Sequence, residues 1–471
     1  MAAREAFTSL NRMVDLAPLN APAFSGDDPI IPTPFRAAAA ASAALGLEAA
    51  AAGEIWRLRS GDRQEIAVDA KAAAASLVSF GLLRRDGAVV PRPAESNATV
   101  GLYRTMDGRW IHLHGGFPHL EKRTLDLLNA QNTKESVSES VARWNASALE
   151  DALAYMNQCG AVVRTQEEWR AGSQGLTLSD TPPIRLTRIG DAPPLRLPDA
   201  KQPLEGVRVL DLTRVLAGPS VGKTLAMHGA DVLSIRAERL PTIDVFDLDT
   251  GFGKRSAFLD LAKPGDAETL RTLAREAHVF VDSYRPGALA KLGFSPAALS
   301  HVSPGIVYVS VSCYGMRGPW AARRGWEQLA QSATGLAVEQ GAFAAARAGA
   351  RRDTVPQLIP AAVCDYTTGY LAAAGAAAAL LRRIREGGSW LVEVSLCATA
   401  MWLQSLGEIP FAQVPDSWNP REGLDGYFQS CETGRGRLDC LGPVVRMEKT
   451  PPAWRSPPPE PGADGPHWLE G

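Results

Sequence analysis

One stretch of the sequence, PLEGVRVLDLTRVLAGP at positions 203–219, most constrains what this chain can fold into. Its apolar run from 207 to 212 is typical of a buried strand, and Ala217-Gly218-Pro219 breaks that strand before a helical stretch that runs through Leu225. A strand that turns directly into a helix is the unit with which α/β proteins hold ligands. We therefore expect a ligand to bind at this turn.

The same alternation of short β-rich runs and helix-length segments continues along the chain. It predicts a mainly parallel, doubly wound α/β sheet. The predicted strands are Val207–Leu212, Asp231–Ile235, Val279–Asp282 and Ile306–Ser312. Turns that follow parallel strands meet at one rim of the sheet, so three of them should come together there: the turn at Gly218, Tyr284–Gly287 and Tyr314–Gly318.

The composition is that of an ordinary globular chain. Its 471 residues are 45% hydrophobic and 21% charged, with a formal net charge of −2, which gives no reason to expect a nucleic-acid or membrane partner. The N-terminus lacks a signal-like apolar run, and the apolar stretch at 371–381 is too short to span a bilayer, so a cytoplasmic location is expected. Six cysteines without a C-x-x-C pair indicate reduced thiols.

Asp365 is the main candidate for chemistry. It follows Cys364 at the start of a long alanine-rich helical segment, where a lone acid can serve as a nucleophile or proton carrier. An aspartate before a helix can equally be a structural N-cap. The residues alone leave both interpretations open.

Taken together, the motifs resemble the family III CoA-transferases, the CaiB/BaiF family. The resemblance covers roughly residues 203–405, and several motifs in one order are more specific than any single one. Two of the motifs are the segment at 203–219 and the segment that begins with Cys364 and Asp365. The others are His228-Gly229-Ala230-Asp231-Val232, Gly253-Lys254-Arg255, Leu259-Asp260-Leu261, Tyr284-Arg285-Pro286-Gly287-Ala288, Leu292-Gly293, Pro304-Gly305-Ile306-Val307, Tyr314-Gly315, Gly318-Pro319 and Arg324-Gly325-Trp326-Glu327.

This resemblance implies an enzyme that moves CoA from an acyl-CoA to a carboxylic acid. Asp365 matches the family's nucleophile, which forms an aspartyl anhydride and then an aspartyl-CoA thioester. The resemblance also implies a Rossmann-like large domain with a smaller α+β domain, a homodimer, and CoA as a substrate with no resident cofactor. No metal site is expected, because His112, His114 and His119 have no nearby carboxylate or cysteine set.

Glu327 occupies the position where racemases of the family carry a His-Asp pair. The preceding residue here is Trp326, which cannot shuttle a proton, so acyl transfer is favoured over racemisation. Two alternatives remain: a 2-methylacyl-CoA racemase or isomerase that uses Asp365 as a base, and a non-catalytic acyl-CoA-binding homologue.

CoA carries phosphates that basic residues and helix N-termini can bind. The candidate CoA-binding residues, several of them by family position, are Val215, Leu216, Ala217, Arg236, Arg239, Lys254, Arg255, Tyr284, Arg285, Lys291 and Arg324. Leu216 stands where some family members have a glutamine that touches the acyl group, which suggests a more apolar acyl chain.

An internal repeat is also visible. Arg385, Gly387, Val394 and Leu403 lie 326 residues after Arg59, Gly61, Val68 and Leu77, and the position that matches Asp365 is Ala39. We therefore interpret residues 1–97 as the remnant of a first repeat that packs on the large domain. The other predicted parts are a small domain with a Pro-rich linker at 98–200, the large CoA-binding domain at 201–405, and an irregular C-terminal strap at 406–471.

Overall fold

A computed structural model describes residues 2–16, 19–91, 97–349 and 354–469. In these residues no helix is both long and apolar enough to cross a membrane.

Within the described residues, the helices are α1 (Ala2–Val14), α2 (Ala37–Ser60), α3 (Ala70–Ser76), α4 (Ser79–Leu82), α5 (Pro118–Leu128), α6 (Lys134–Val141), α7 (Ala146–Tyr155), α8 (Gln166–Ala171), α9 (Ser173–Ser179), α10 (Ala217–Ala226), α11 (Asp244–Thr250), α12 (Pro264–Glu276), α13 (Pro296–Val302), α14 (Glu327–Thr334), α15 (Leu336–Arg347), α16 (Val363–Glu386) and α17 (Leu396–Ser405). Short 3-10 helices lie at Ala290–Leu292, Phe411–Gln413 and Asp425–Tyr427.

The strands are β1 (Ala23–Ser25), β2 (Ile66–Asp69), β3 (Arg84–Arg85), β4 (Ala88–Val89), β5 (Val100–Arg104), β6 (Trp110–His114), β7 (Gly160–Val162), β8 (Arg185–Gly190), β9 (Arg208–Leu212), β10 (Asp231–Arg236), β11 (Lys254–Phe258), β12 (Val279–Asp282), β13 (Val307–Ser312), β14 (Ser389–Ser395), β15 (Phe428–Thr433), β16 (Gly436–Leu441) and β17 (Val445–Met447).

The large sheet contains seven strands in the order β11-β10-β9-β12-β13-β14-β8. The first six are parallel to their neighbours, and β8 pairs antiparallel with β14 at the edge. In chain order the parallel strands therefore read 3-2-1-4-5-6. The prediction of an α/β fold with a large, mainly parallel sheet is confirmed, and each of the four predicted strands lies within one residue of an observed one.

Apolar side chains from this sheet contribute to a core on each of its faces. Along β12, Val279 and Val281 join the cluster that contains α10 and α16, whereas Phe280 between them joins the cluster that contains α12 and α13. This alternation is what a strand buried on both faces requires. Helices therefore cover the sheet on both sides, and its ligand-binding rim is left at the strand ends.

The sequence repeat corresponds to a structural repeat. Helices α2 and α16 both have 24 residues, begin and end at positions 326 residues apart, and pack against each other. The next helix in each copy is capped by the side chain of the residue before it, Asp69 for α3 and Ser395 for α17. The repeat thus extends over a helix, a strand and the cap of the following helix.

The small antiparallel sheet β5-β6-β7 and helices α5 to α7 lie before the large sheet in sequence. The buried imidazole of His112 lies 2.8 Å from the hydroxyl of Ser332 in α14, which ties this sheet to the large domain. Residues 185–190, which the prediction assigned to the small domain and linker, form β8 at the edge of the large sheet instead.

The C-terminal segment is more regular than the sequence suggested. Strands β15 and β16 form an antiparallel pair, and β17 pairs with β2. After Met447, the described residues contain no helix or strand. This last stretch contacts the large domain through Trp454, whose indole donates a hydrogen bond to the backbone carbonyl of Lys223.

Candidate active site

A cavity of about 370 Å³ opens at the carboxyl ends of β9, β12 and β13. This is the point where the strand order reverses, at which open α/β sheets bind their ligands. The residues that line it are Phe117, His119, Leu120, Cys159, Arg214, Val215, Leu216, Ala217, Gly218, Leu240, Ser283, Tyr284, Arg285, Val311, Ser312, Cys313, Arg324, Gly325, Trp326, Glu327, Asp365 and Leu396.

The turn between β9 and α10 forms one wall of the cavity. Its residue Val215 has a φ of 74°, a left-handed conformation that a β-branched side chain rarely adopts. Such strain typically amounts to about 1–3 kcal/mol and tends to occur at functional sites. Immediately after it, Ala217 and Gly218 bring the first turn of α10 to the cavity. Backbone N–H groups in a first helical turn have no partner inside the helix, so they can bind an anion.

Asp365 lies in the first turn of α16 and lines the cavity. Its exposed fraction is 8%, and within the described residues its carboxylate forms no hydrogen bond or ion pair. Burial, and then repulsion from Glu327, raise the pKa of Asp365 well above its usual range. The helix N-terminus acts in the opposite direction, because its dipole favours a negative charge. Asp365 is thus a carboxyl group without structural partners that faces open space.

Glu327, the first residue of α14, lines the same part of the cavity. Its Oε1 accepts hydrogen bonds from Gln331 Nε2 at 2.7 Å and from the Cys364 backbone N–H at 3.2 Å. Burial raises the pKa of Glu327 to about 7, although these hydrogen bonds lower it. Two buried carboxyl groups that repel each other do not readily ionise together, so the titrations of Asp365 and Glu327 depend on each other.

A second polar network holds the residue after Asp365. The hydroxyl of Tyr366 donates to Asp249 Oδ2 at 2.7 Å and accepts from the hydroxyl of Ser79 at 3.1 Å. Asp249 in turn accepts a hydrogen bond from Ser79 and forms an ion pair with Lys223 of α10. Helices α4, α10, α11 and α16 therefore meet at one buried carboxylate directly behind the cavity.

Arg214, Arg285 and Arg324 give the cavity its positive charge. Among the described residues, none of these three arginines forms an ion pair within 4.0 Å. Arg214 lies over the ring of Phe117, 4.8 Å from its centroid, and Arg285 donates to Asn157 Oδ1 at 2.8 Å. Burial and the nearby Arg285 lower the pKa of Arg324. Cations placed close together without carboxylates form a site for an anion.

One wall of the cavity is aromatic. The ring of Trp326 stacks on His114 with 4.2 Å between centroids and lies 5.2 Å from Phe117. Burial lowers the pKa of His114 to about 3 and that of His112 to about 4, so both are neutral at physiological pH. They pack behind the wall and add no positive charge to it. No group of three or more His, Cys, Asp or Glu residues that could hold a metal ion is found in the described residues.

The structure brings most of the predicted site residues together. Both acids line the cavity, and so do six of the predicted CoA-binding residues: Val215, Leu216, Ala217, Tyr284, Arg285 and Arg324. The other basic candidates do not. Four of these form ion pairs elsewhere: Arg236 with Asp247, Arg239 with Asp260, Lys254 with Asp211, and Arg255 with Asp231. The last, Lys291, is exposed and also lies outside the cavity lining.

Sequence reasoning missed several lining residues. Arg214 precedes Val215 in the same turn, and Cys313 directly follows β13, so the rule that ligands bind at strand ends could have identified both. Phe117 and His119 come from the small domain. No sequence signal linked that segment to the rim of the large sheet.

Residues 204–409 match the family model described as CoA-transferase family III. Among curated proteins, the chain is similar to the acetyl-coenzyme A transferase nodX of Hypoxylon pulicicidum, with 32% identity over 324 residues, which is 64% of this chain and 54% of that protein. It is also similar to an acyl-CoA transferase of Gibberella moniliformis, with 28% identity over 518 aligned positions, 94% of this chain and 90% of that protein.

The family III match is concentrated in the large domain. The chain spans about half the length of most of the curated relatives it matches, for example 53% of a probable fatty acyl-CoA transferase of Mycobacterium tuberculosis. Among solved structures, a CaiB/BaiF family protein from Brucella suis is 27% identical, over 50% of this chain and 65% of that one, with a TM-score of 0.38.

Proposed function

We propose that the protein is a CoA-transferase that moves CoA from an acyl-CoA to a carboxylic acid, with Asp365 as the nucleophile. The observation that supports this most directly is an unpartnered buried carboxyl group in a cavity that also contains three arginines without ion pairs. The family III match and the names of the relatives, which are acetyl-, acyl- and fatty acyl-CoA transferases, point to the same activity.

The reaction begins when an oxygen of the Asp365 carboxylate attacks the thioester carbonyl and the CoA thiolate leaves, which gives a mixed anhydride. The thiolate then attacks the aspartyl carbonyl, which releases the first acid and leaves an aspartyl-CoA thioester. The acceptor carboxylate attacks that thioester and expels the thiolate to form a second anhydride. Attack of the thiolate on the acceptor carbonyl yields the new acyl-CoA and regenerates the Asp365 carboxylate.

Glu327 would hold the proton that Asp365 must lose. Only the ionised form of Asp365 can attack, so in this proposal the pair holds one proton, which resides on Glu327 when the thioester is bound. Its raised pKa, about 7, makes it a suitable acceptor at neutral pH. Replacement of Glu327 by Gln should therefore lower kcat more than it raises KM.

The three cavity arginines would bind the phosphates of CoA. Charge-assisted hydrogen bonds from guanidinium groups to phosphate are among the strongest polar contacts in proteins. The first turn of α10, which meets the same cavity, would contribute backbone N–H groups. CoA enters in this proposal as a substrate, so no resident cofactor is required.

The test is to trap the aspartyl intermediate. The protein is incubated with acyl-CoA donors from acetyl to palmitoyl and then with hydroxylamine or borohydride, and the peptide that contains Asp365 is examined by mass spectrometry. We expect modification of that aspartate alone, and a loss of roughly 1000-fold or more in CoA exchange for Asp365→Asn. An unmodified peptide during turnover would contradict covalent transfer.

Glu339→Gln is a matched control for this experiment. Glu339 is also a partly buried glutamate whose pKa burial raises to about 7, but it lies outside the cavity lining. Its variant should exchange CoA at the wild-type rate.

Two other results would favour the alternative functions. Solvent deuterium that enters an acyl-CoA without CoA exchange would indicate a racemase or isomerase, and tight CoA binding without either reaction would indicate a binding protein.

We further propose the finer features that the resemblance implies. The 3-2-1-4-5-6 order of the parallel strands supports a doubly wound, Rossmann-like sheet. A homodimer follows from the family resemblance, and measurement of the molar mass in solution by light scattering would test it. A cytoplasmic location rests on the sequence signals given above.

A further inference from the structure

Gln331 lies one helical turn after Glu327 on α14, outside the cavity lining, and its side chain is fully buried. Its amide Nε2 donates to Glu327 Oε1 at 2.7 Å, and its amide Oε1 accepts from the backbone N–H of Ile359 at 2.8 Å. Because a backbone N–H can only donate, the bond from Ile359 fixes which end of the amide faces Glu327. Gln331 therefore presents a donor, and not an acceptor, to the Glu327 carboxyl group.

The same oxygen of Glu327 has a second donor. The backbone N–H of Cys364 donates to Oε1 at 3.2 Å, and Cys364 precedes Asp365 in the first turn of α16. A carboxyl oxygen has two lone pairs, and N–H groups use both of those on Oε1. A proton on Glu327 is thus placed on Oε2, because on Oε1 it would displace one of these donors.

From this geometry we propose that Gln331 is a positioning residue, which fixes Glu327 Oε1 and so makes Oε2 the oxygen that takes up the proton of Asp365. The inference rests on the proposed CoA-transferase function and adds a residue to it. The last torsion of a glutamate side chain is broad, so without Gln331 the carboxyl group would rotate more freely and its proton could occupy either oxygen. Gln331 acts through Glu327, since it lies outside the cavity lining.

Most other titratable groups on the elements around Glu327 are uncharged near neutral pH. Burial raises the pKa of the thiols and the phenol and lowers that of the imidazoles, namely Cys159, Cys313, Cys364, Tyr284, His112, His114 and His119. The three cavity arginines stay positively charged there. The group whose charge Glu327 affects is Asp365, whose pKa burial and then repulsion from Glu327 raise well above its usual range.

The first experiment follows the titration of Glu327 and needs no turnover. Proteins isotope-labelled at the glutamate side-chain carboxyl carbon are compared by NMR from pH 5 to pH 9, and the Glu327 signal is the one missing from Glu327→Gln. Loss of the Gln331 donor disfavours the carboxylate, so the midpoint of this titration should rise by about one pH unit in Gln331→Met. An unchanged midpoint would overturn the inference.

Gln340→Met is the matched control. Gln340 is also a buried glutamine, 5% exposed, and its amide donates to the backbone carbonyl of Pro32 at 3.0 Å, outside the cavity lining. This variant should leave the Glu327 midpoint at its wild-type value. A rise as large as that in Gln331→Met would show a general effect of altered packing and would refute the specific role of Gln331.

The second experiment measures transfer. Gln331→Met should lower kcat by about 10-fold and change the KM for acyl-CoA less than about 2-fold, because orientation of Glu327 is lost and substrate binding is not. In the Glu327→Gln background the same substitution should not lower kcat further, since the group through which it acts is absent. Additive losses would assign Gln331 a purely structural role.

Gln331→Glu keeps the shape of the side chain if Gln331→Met does not fold. A protonated carboxyl group at this position can donate to Glu327 Oε1, whereas an ionised one cannot. Relative to the wild type at the same pH, its kcat should be within about 3-fold at pH 5.5 and about 10-fold lower at pH 8. A ratio that does not depend on pH would contradict the inference. A shifted Glu327 midpoint in a protein without detectable transfer would instead count against the proposed function alone.

Discussion

Replacement of Glu327 by Gln should make the protein's stability less dependent on pH. In the folded protein, burial raises the pKa of this glutamate from 4.5 to about 7, and its side chain is 5% exposed. A group with a raised folded pKa stabilises the fold below its unfolded pKa, and that stabilisation is lost as the pH rises through the folded pKa. The Gln side chain does not titrate, so it makes no pH-dependent contribution to stability, and it can still accept the hydrogen bonds of Gln331 and Cys364.

The size of the effect follows from the shift. One pKa unit corresponds to 1.36 kcal/mol, so the rise from 4.5 to about 7 corresponds to about 3 kcal/mol. Between pH 5 and pH 8 the wild type should lose about 3 kcal/mol of unfolding free energy that Glu327→Gln does not lose. An unfolding entropy of about 2 cal/mol/K per residue over 471 residues gives about 1 kcal/mol/K, so the corresponding difference in Tm is about 3 °C.

Differential scanning calorimetry at several pH values from 5 to 8 would measure this. Other buried groups also titrate in this range, so the informative quantity is the difference between the two proteins at each pH. Glu238→Gln, at an exposed glutamate outside the cavity, is the control and should follow the wild type throughout. If the Tm curves of wild type and Glu327→Gln run parallel, Glu327 does not retain a proton in the folded protein, and the shared-proton description of the pair is wrong.

Three further variants and one control variant test the assignment of charges and the packing behind the site. Lys254→Met should destabilise the protein by about 3–5 kcal/mol in urea unfolding, because it leaves the buried carboxylate of Asp211 unpaired, yet the KM for acyl-CoA of the folded enzyme should not change. Arg324→Ala should raise that KM by about 10-fold or more in steady-state assays, whereas Arg255→Ala, which removes an arginine outside the cavity, should change it less than about 2-fold. Gly369→Ala should lower stability by about 1–3 kcal/mol and reduce kcat, because the new Cβ would lie 2.6 Å from the Cβ of Ser220 and push α10 away from α16.

The sequence was sufficient to predict the sheet, because its signals are local. The apolar run that begins at Val207 and the break at Gly218 specify a strand and its turn regardless of the rest of the chain. Asp365 and Glu327 were also selected as candidate site residues from the sequence, through the order of the motifs around them. Both lie where the rule for parallel sheets expects a ligand, at the carboxyl ends of strands.

The sequence could not show which basic residues are free to bind phosphate, because ion pairs form between residues that are far apart in sequence. Lys254 looked as suitable for a phosphate as Arg324, but the fold brings Asp211 within 2.6 Å of its ammonium group and buries both. Conversely, nothing local to Arg324 indicates that it has no carboxylate partner. The aromatic wall could not be predicted from the sequence for the same reason, since Phe117 reaches the cavity only through the packing of the small sheet on α14.

The N-terminal segment contributes to the site without lining the cavity. Its copy of the repeat has Ala39 at the position of Asp365, so it offers no second nucleophile, but α2 still packs along α16. At the start of α16, the hydroxyl of Ser79 and the backbone N–H of Phe80 both hydrogen-bond to the hydroxyl of Tyr366. The first turn of that helix is therefore held from behind by Ser79 and Phe80 of the N-terminal segment. The N-terminal segment thus supports the helix that carries Asp365, although its own copy of the repeat has no carboxylate at the matching position.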